Sequence, residues 1–269
     1  YQDIMLTITK NKIQTKVTHL LADTVTPVSI YLKVRDHFNN PVLLESNDFR
    51  SRENCFSIIG LEPIAGFKVQ EGTITRTFTN GVIETETILN PKSVVGELDT
   101  FIKSFEIENS DETPIVNGFL GHTSFEAVQY FDTLEYDLSK RVHEIPDINY
   151  QLYRFLIAVN HFKDELFIIE NLAEGQTSET KKVATLLESQ NFGTYKFELD
   201  GEEASNLTDE EFKKYVTLGK HHCQVGDVFQ IVLSRQFSQS FKGDEFNVYR
   251  ILRSINPSPY LFYFDYGSY

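Results

Sequence analysis

Residues 64–90, IAGFKVQEGTITRTFTNGVIETETILN, decide the fold class. Polar and apolar residues alternate along them, which is the period of a half-buried strand. Two turn signals interrupt the alternation, Glu71-Gly72 and Asn80-Gly81. An Asn-Gly pair between alternating runs is a strong hairpin signal, because both central positions of that turn need a positive φ. The chain is therefore expected to build antiparallel sheet here, with no need for βαβ crossovers.

The neighbouring segments extend that reading. SIIGL at 57–61 is a short apolar strand, expected to end at Pro63. LYRFLIAV at 152–159 and LFIIE at 166–170 are two β-rich runs around a turn at His161–Glu165. Residues 12–21 read as a strand, and so do VLLES at 42–46 and LFYFDY at 261–266. Helices are expected after Pro27, over 93–106, over 178–189 and over 246–255. Thr208 followed three residues later by Glu211 is a capping box that opens another helix, ending near Gly226. GDVFQIVLSRQF at 226–237 is expected to supply a strand over 228–237, buried on both faces or bulged. Residues 191–206 are charged and poor in large apolar side chains, so they read as a linker between two regions, 1–190 and 206–269. Mixed hairpins and helices make the class α+β.

Composition narrows the function. The chain has 269 residues with 41% hydrophobic and 24% charged side chains, enough for a substantial core. A net charge of −14 repels phosphate, which argues against nucleic acid and anionic membrane as partners. The apolar runs are too short for a membrane span. Cys55 and Cys223 stand far apart and outside any CxxC, so they read as reduced thiols in a cytoplasmic protein. The phosphate-loop, dinucleotide and GxSxG signatures are missing from the sequence.

Several polar residues admit two readings. Glu45 and Ser46 end an apolar strand and can begin a loop, or they can hold an amino acid, with the carboxylate on its ammonium and the hydroxyl on its carboxylate. Gln230 among apolar neighbours is either a buried structural amide or a group facing a polar substrate. Arg235 is either a salt-bridged structural arginine or a carboxylate-binding fork. Pro257 and Pro259 force an extended segment, and Tyr260 and Phe262 beside them could wall an indole ring. His122, His221 and His222 read as hydrogen-bonded or capping histidines, without metal-ligand partners at suitable spacing.

Taken in order, LADTVTPVSIYLKV (21–34), LLES (43–46), SIIGLEP (57–63), GFLGHTSFEAV (118–128), SNLTDEEFKKYV (205–216), GDVFQIVLSRQF (226–237) and NPSPYLFYFD (256–265) resemble the large subunit of anthranilate synthase, a chorismate-utilising enzyme. That resemblance implies a sandwich of two antiparallel sheets with helices outside. It implies conversion of chorismate and ammonia to anthranilate and pyruvate with Mg²⁺, ammonia coming from a glutamine amidotransferase subunit. It also implies feedback inhibition by tryptophan, and it carries the tryptophan-binding role to Glu45, Ser46, Pro259, Tyr260 and Leu261. Gln230 falls at the edge of the chorismate pocket, where water-adding relatives typically carry lysine. Glutamine cannot take a proton at neutral pH, which favours the amine-using branch. The family's later motifs, with its catalytic histidine and its Mg²⁺ ligands, have no counterpart here, so the sequence is expected to be an amino-terminal portion with an incomplete sandwich and no lyase activity of its own. Aminodeoxychorismate synthase, and an amino-acid-binding module without chemistry, are the alternatives.

Overall fold

A computed structural model describes residues 10–46, 55–109, 112–134, 136–137, 141 and 143–269. The described residues form α+β structure in two compact units. One is Tyr1–Gly193 with Asn256–Tyr269, and the other is Thr194–Ile255. The break at 193 lies inside the stretch expected to be a linker. Residues 256–269 belong to the first unit instead of continuing with 206–255.

Two long strands make the hub of the first unit. β3 (Phe56–Gln70) and β8 (Ile148–Asn160) pair antiparallel from Phe56↔Asn160 to Val69↔Ile148. Each is long enough to take two different partners along its outer edge. β3 pairs with β2 (Val42–Ser46) in its first half and with β4 (Thr73–Thr77) in its second. β8 pairs with β7 (Phe119–Thr123) early and with β9 (Glu165–Ala173) late. β5 (Ile83–Thr87) extends the hairpin from β4. β1 (Asn11–Leu21) adds to β9, β6 (Phe105–Glu108) adds parallel to β1, and β12 (Tyr260–Phe264) closes the other edge on β2. The ten-stranded sheet is thus antiparallel apart from the β1–β6 pair.

Pro63 does not end the strand, as the sequence suggested. It sits at a register shift between Pro63 and Ala65, with Glu62 at φ 58°. A bulge needs no ladder donor at the proline, so the strand bends there and continues. The Glu71-Gly72 turn has positive φ at both residues (49° and 70°), as a tight hairpin turn with the right-handed strand twist requires.

Helices cover the sheet. α1 (Pro27–Val34) starts at Thr26, whose hydroxyl accepts from Ser29 N while Ser29 Oγ accepts from Thr26 N. This reciprocal cap satisfies two orphan donors. α2 (Val94–Lys103) and a three-ten turn at Phe125–Tyr130 bury Val94, Phe101, Ala127 and Tyr130 against Phe67, Val69, Ile74 and Leu152. Burial of a side chain such as Val94 or Phe101 contributes about 1.5–3 kcal/mol.

α3 (Thr180–Glu188) is tied to the sheet by Glu170 of β9, which is 0% exposed. Its carboxylate accepts from Ser178 Oγ (2.6 Å), Thr180 Oγ1 (2.7 Å) and Glu179 N (2.8 Å), and Arg154 Nη2 lies at 3.4 Å. Burial alone would raise the Glu170 pKa. The hydrogen bonds and the Arg154 charge outweigh it and hold the carboxyl below its ordinary value. A group depressed on folding adds stability above its unfolded pKa, and that stability is lost as pH falls through the folded pKa. Glu170→Gln should therefore lower unfolding stability at pH 7 by about 1.5–3 kcal/mol. Its stability should also fall less steeply than that of the wild type as pH drops below 4.5. Urea unfolding across pH checks both; parallel curves would refute the assignment.

In the second unit, β10 (Phe197–Ser205) pairs antiparallel with β11 (Phe237–Gly243), so half of the expected linker is a strand. Gly243 has φ 97°, and a Cβ there would stand 1.8 Å from Lys196 O, so the ladder end requires glycine. α4 (Asp209–Val225) begins with the Thr208/Glu211 capping box and ends at Gly226 with φ 87°. α5 (Phe246–Ile255) buries Phe246 against Tyr249. The strand expected over 228–237 starts only at Phe237. Residues 227–236 carry no ladder of their own, and Gln230, Phe229 and Val232 are exposed. These residues pair with neither strand of the β10–β11 ladder, so the apolar side chains among them are not drawn into a sheet.

Candidate functional site

The pairing of β12 with β2 places the sequence-nominated residues together. Tyr260 stands opposite Ser46, Leu261 opposite Glu45 and Phe262 opposite Leu44. Pro259 immediately precedes the first pair, in extended chain that proline favours. Segments separated by more than two hundred positions thus share one ladder.

The pleat then divides them between faces, because successive side chains point opposite ways. Tyr263 packs edge-on against Tyr31 of α1 at 5.7 Å, which marks the side that α1 covers. Leu261 and Glu45 project to that same side, and Glu45 is 3% exposed. Ser46, Tyr260, Leu44 and Phe262 project to the other side. There Tyr260 and Phe262 are 68% and 65% exposed, and the Phe262 ring leans on Phe264 at 5.2 Å. The open face therefore offers a hydroxyl beside two exposed aromatic rings. Glu45 and Leu261 support the strand from beneath.

Cys55 is part of this strand end, although the sequence reading treated it as an ordinary thiol. The β2–β3 ladder runs from Val42↔Gly60 to Leu44↔Ile58. Beyond it, Cys55 Sγ donates to Ser46 O at 3.2 Å and lies 3.7 Å from Ser46 Oγ. The thiol extends the ladder where the backbones diverge. No spacing motif signals such a contact, because it depends on how two strands part.

The other nominated groups have structural partners. Arg235 donates to Ser205 Oγ (2.8 Å) and Asp209 Oδ1 (2.6 Å), and its guanidinium lies over the Phe237 ring at 4.5 Å. It is a salt-bridged arginine. His222 Nδ1 lies 2.7 Å from Asp227 Oδ2 at the end of α4. His122 faces Pro146 O at 3.3 Å and sits among the rings of Phe264, Tyr266 and Tyr269. Burial lowers its pKa, the Pro146 carbonyl opposing, so at neutral pH the ring is uncharged. Gln230 is in the other unit, exposed, in an irregular segment. Among the described residues, no group of three or more His, Cys, Asp or Glu side chains is arranged to hold a metal ion, and no helix is long and apolar enough to cross a membrane.

The register is directly testable. Cysteines at directly opposed positions lie within reach of a disulfide, especially on an edge strand. A Leu44→Cys, Phe262→Cys chain should crosslink on oxidation, and a Leu44→Cys, Tyr263→Cys chain should not, since those side chains point to opposite faces. Peptide mapping reads the result; equal crosslinking in both would show another register.

Comparison with known proteins is consistent with this architecture. The chorismate binding enzyme family model matches residues 46–269. Anthranilate synthase component 1 of Lactococcus lactis is 29% identical over 264 residues, covering 94% of this chain and 55% of the relative. The Aquifex aeolicus protein of the same name is 28% identical, covering 93% of this chain and 52% of its own length. The chain spans about half the length of the curated relatives it matches. Among solved structures, anthranilate synthase component I from Streptococcus pneumoniae superposes with a TM-score of 0.57 at 22% identity, over 89% of this chain and 53% of that one. That likeness shows the fold.

Proposed function

We propose an anthranilate synthase component I role from one premise: the chain belongs to the chorismate binding enzyme family. In this reading the chain is the part of component I that carries the tryptophan-responsive site. The whole enzyme converts chorismate and ammonia to anthranilate and pyruvate, with Mg²⁺. Ammonia comes from a glutamine amidotransferase partner, as a numbered component in the relatives' names suggests. Mg²⁺ would polarise the substrate when bound. Free thiols at Cys55 and Cys223 suit a reducing, cytoplasmic setting. Gln230 stands at the edge of the chorismate pocket in this reading and does not act as a base, since its amide cannot accept a proton at neutral pH.

The observation that carries the regulatory part is the ladder that sets Ser46 opposite Tyr260. Tryptophan presents a carboxylate, an ammonium and an indole. The Ser46 hydroxyl is a donor for the carboxylate, and the exposed Tyr260 and Phe262 rings are stacking surfaces for the indole. Pro259 fixes the approach of the wall, so little ordering is required on binding. Glu45 and Leu261 hold the strand from the covered face. A smaller amino acid would leave the two rings uncovered.

Tryptophan titrated into the chain in a calorimeter should bind. Ser46→Ala should weaken it by about one to two orders of magnitude, the loss of one hydrogen bond to a charged group. Unchanged affinity in both Ser46→Ala and Pro259→Ala would put the site elsewhere. The activity is tested separately in the full-length protein, since this chain alone is expected to be inactive: with chorismate, Mg²⁺ and ammonium it should form fluorescent anthranilate, and Gln230→Lys should depress that amination. No anthranilate from the wild type rejects the enzymatic reading.

A further inference from the structure

A concavity in the first unit is built on the polar face of β4, β3 and β8. Its volume is about 800 Å³, within the roughly 300–1,000 Å³ typical of small-molecule sites. The floor is two cross-strand rows. Lys68 stands between Thr75 and Asn149 in one, and Gly66 between Thr77 and Gln151 in the next. With no side chain at Gly66, the second row is open in the middle, and the Lys68 side chain borders the gap. The site shares none of Glu45, Ser46, Pro259, Tyr260 or Leu261.

Its polar groups are biased toward donors, and their orientations are set by bonds they already make. Gln151 Oε1 accepts from Tyr153 OH at 3.0 Å, which leaves the Gln151 amide N–H groups for the cleft. Tyr269 OH accepts from Asn149 Nδ2 at 2.8 Å, which leaves the phenolic hydrogen to donate. Burial raises the Tyr269 pKa, the Asn149 hydrogen bond opposing, so that hydrogen is retained at neutral pH. Gln70 donates to Glu144 O at 3.0 Å and is spent on the rim. Lys68 forms no hydrogen bond or ion pair with any described residue. An unpaired ammonium in a cleft is notable in a chain of net charge −14. His143 also borders the space, but Glu126 stands 3.3 Å from its Nε2 and answers its charge when protonated. Glu144 is the carboxylate among the described lining residues, and its side chain is exposed.

Three convergent donors, one of them cationic, call for an anionic oxygen ligand. Ile83, Ile145, Pro146 and the Tyr266 ring add apolar wall, beside the polar Asn40, Thr75, Thr77 and Ser268. They suit a flat or cyclic body larger than the charged group itself. We propose that this cleft binds a small ring-bearing carboxylate, with the Lys68 ammonium as its counter-ion. The carboxylate sits over Lys68 between the Gln151 amide and the Tyr269 hydroxyl, and the ring lies toward Ile83 and Pro146. The inference does not depend on the function proposed above.

Benzoate is the probe, added to the full ¹⁵N-labelled chain and followed by amide chemical shifts. The Gly66 backbone amide and the Gln151 and Asn149 side-chain amides should shift along a saturable curve. Benzamide, with the same shape and no charge, should bind at least about tenfold more weakly. Lys68→Gln should lose benzoate by a similar factor, with unchanged shifts elsewhere showing that the fold is kept, and Lys68→Arg should retain most of it. The proposal is overturned if benzoate leaves these amides unmoved, if benzamide binds as well to the wild type, or if inorganic phosphate binds as tightly as benzoate. The wild-type benzamide comparison decides the matter even if the Lys68 variants fold poorly.

Discussion

The β3–β8 pairing is the interaction on which the first unit depends. It runs the full length of both strands, and nearly every other strand attaches to it directly or through one neighbour. The reason is geometric. A strand of 15 residues offers more edge than one short partner can fill, so β2 and β4 divide the outer edge of β3 between them. The bulge at Pro63–Ala65 falls in the interval between those two partners, where a bend disturbs neither ladder. β8 is also buried on both faces through its second half, which is why residues 152–159 read as a nearly continuous apolar run.

That hub decides where the candidate regulatory site can be. β2 is held in register by β3, and its free edge is then the docking edge for β12. The excursion through Thr194–Ile255 separates β12 from the rest of its sheet in sequence, yet the backbone groups of β2 require a partner there. Once the register is set, the pleat allocates side chains without further choice. Ser46 and Tyr260 go to the open side, and Glu45 and Leu261 to the side under α1. The Cys55 thiol completes the strand end, since the β2–β3 backbones have parted by that point.

The two candidate surfaces of the first unit differ in character. The β2–β12 face combines a hydroxyl with exposed rings, which is suited to a large aromatic amino acid. The β3–β4–β8 cleft gathers an ammonium without a partner among the described residues and oriented amide and phenol donors, which is suited to an anion. Both arise from one rule: wherever the sheet lacks a covering helix, the alternate residues that would otherwise be core become a surface whose chemistry the sequence is free to choose. In the second unit Phe229 and Val232 are exposed, in residues 227–236 that join no ladder.

Local chemistry made much of this legible from the sequence alone. The Asn80-Gly81 and Glu71-Gly72 turns, the Thr208/Glu211 cap and the apolar periods of α2, β8 and β9 act over a few residues, so they need no tertiary context. The ordered motifs from LADTVTPVSIYLKV to NPSPYLFYFD carried the family and nominated Ser46 and Tyr260. What the sequence could not determine depends on partners distant along the chain. Pro63 looked like a strand end, because a bulge is visible only in the register of two strands. Residues 228–237 looked like a buried strand, because apolar content says nothing about whether an edge is available. Residues 197–205 looked like a linker, because a polar strand lacking a buried face has no hydrophobic period to betray it. Only the tertiary structure could decide that Glu45 is the one covered by α1, leave Lys68 without a partner among the described residues and bring Cys55 to Ser46, since each of these depends on segments that local sequence does not relate.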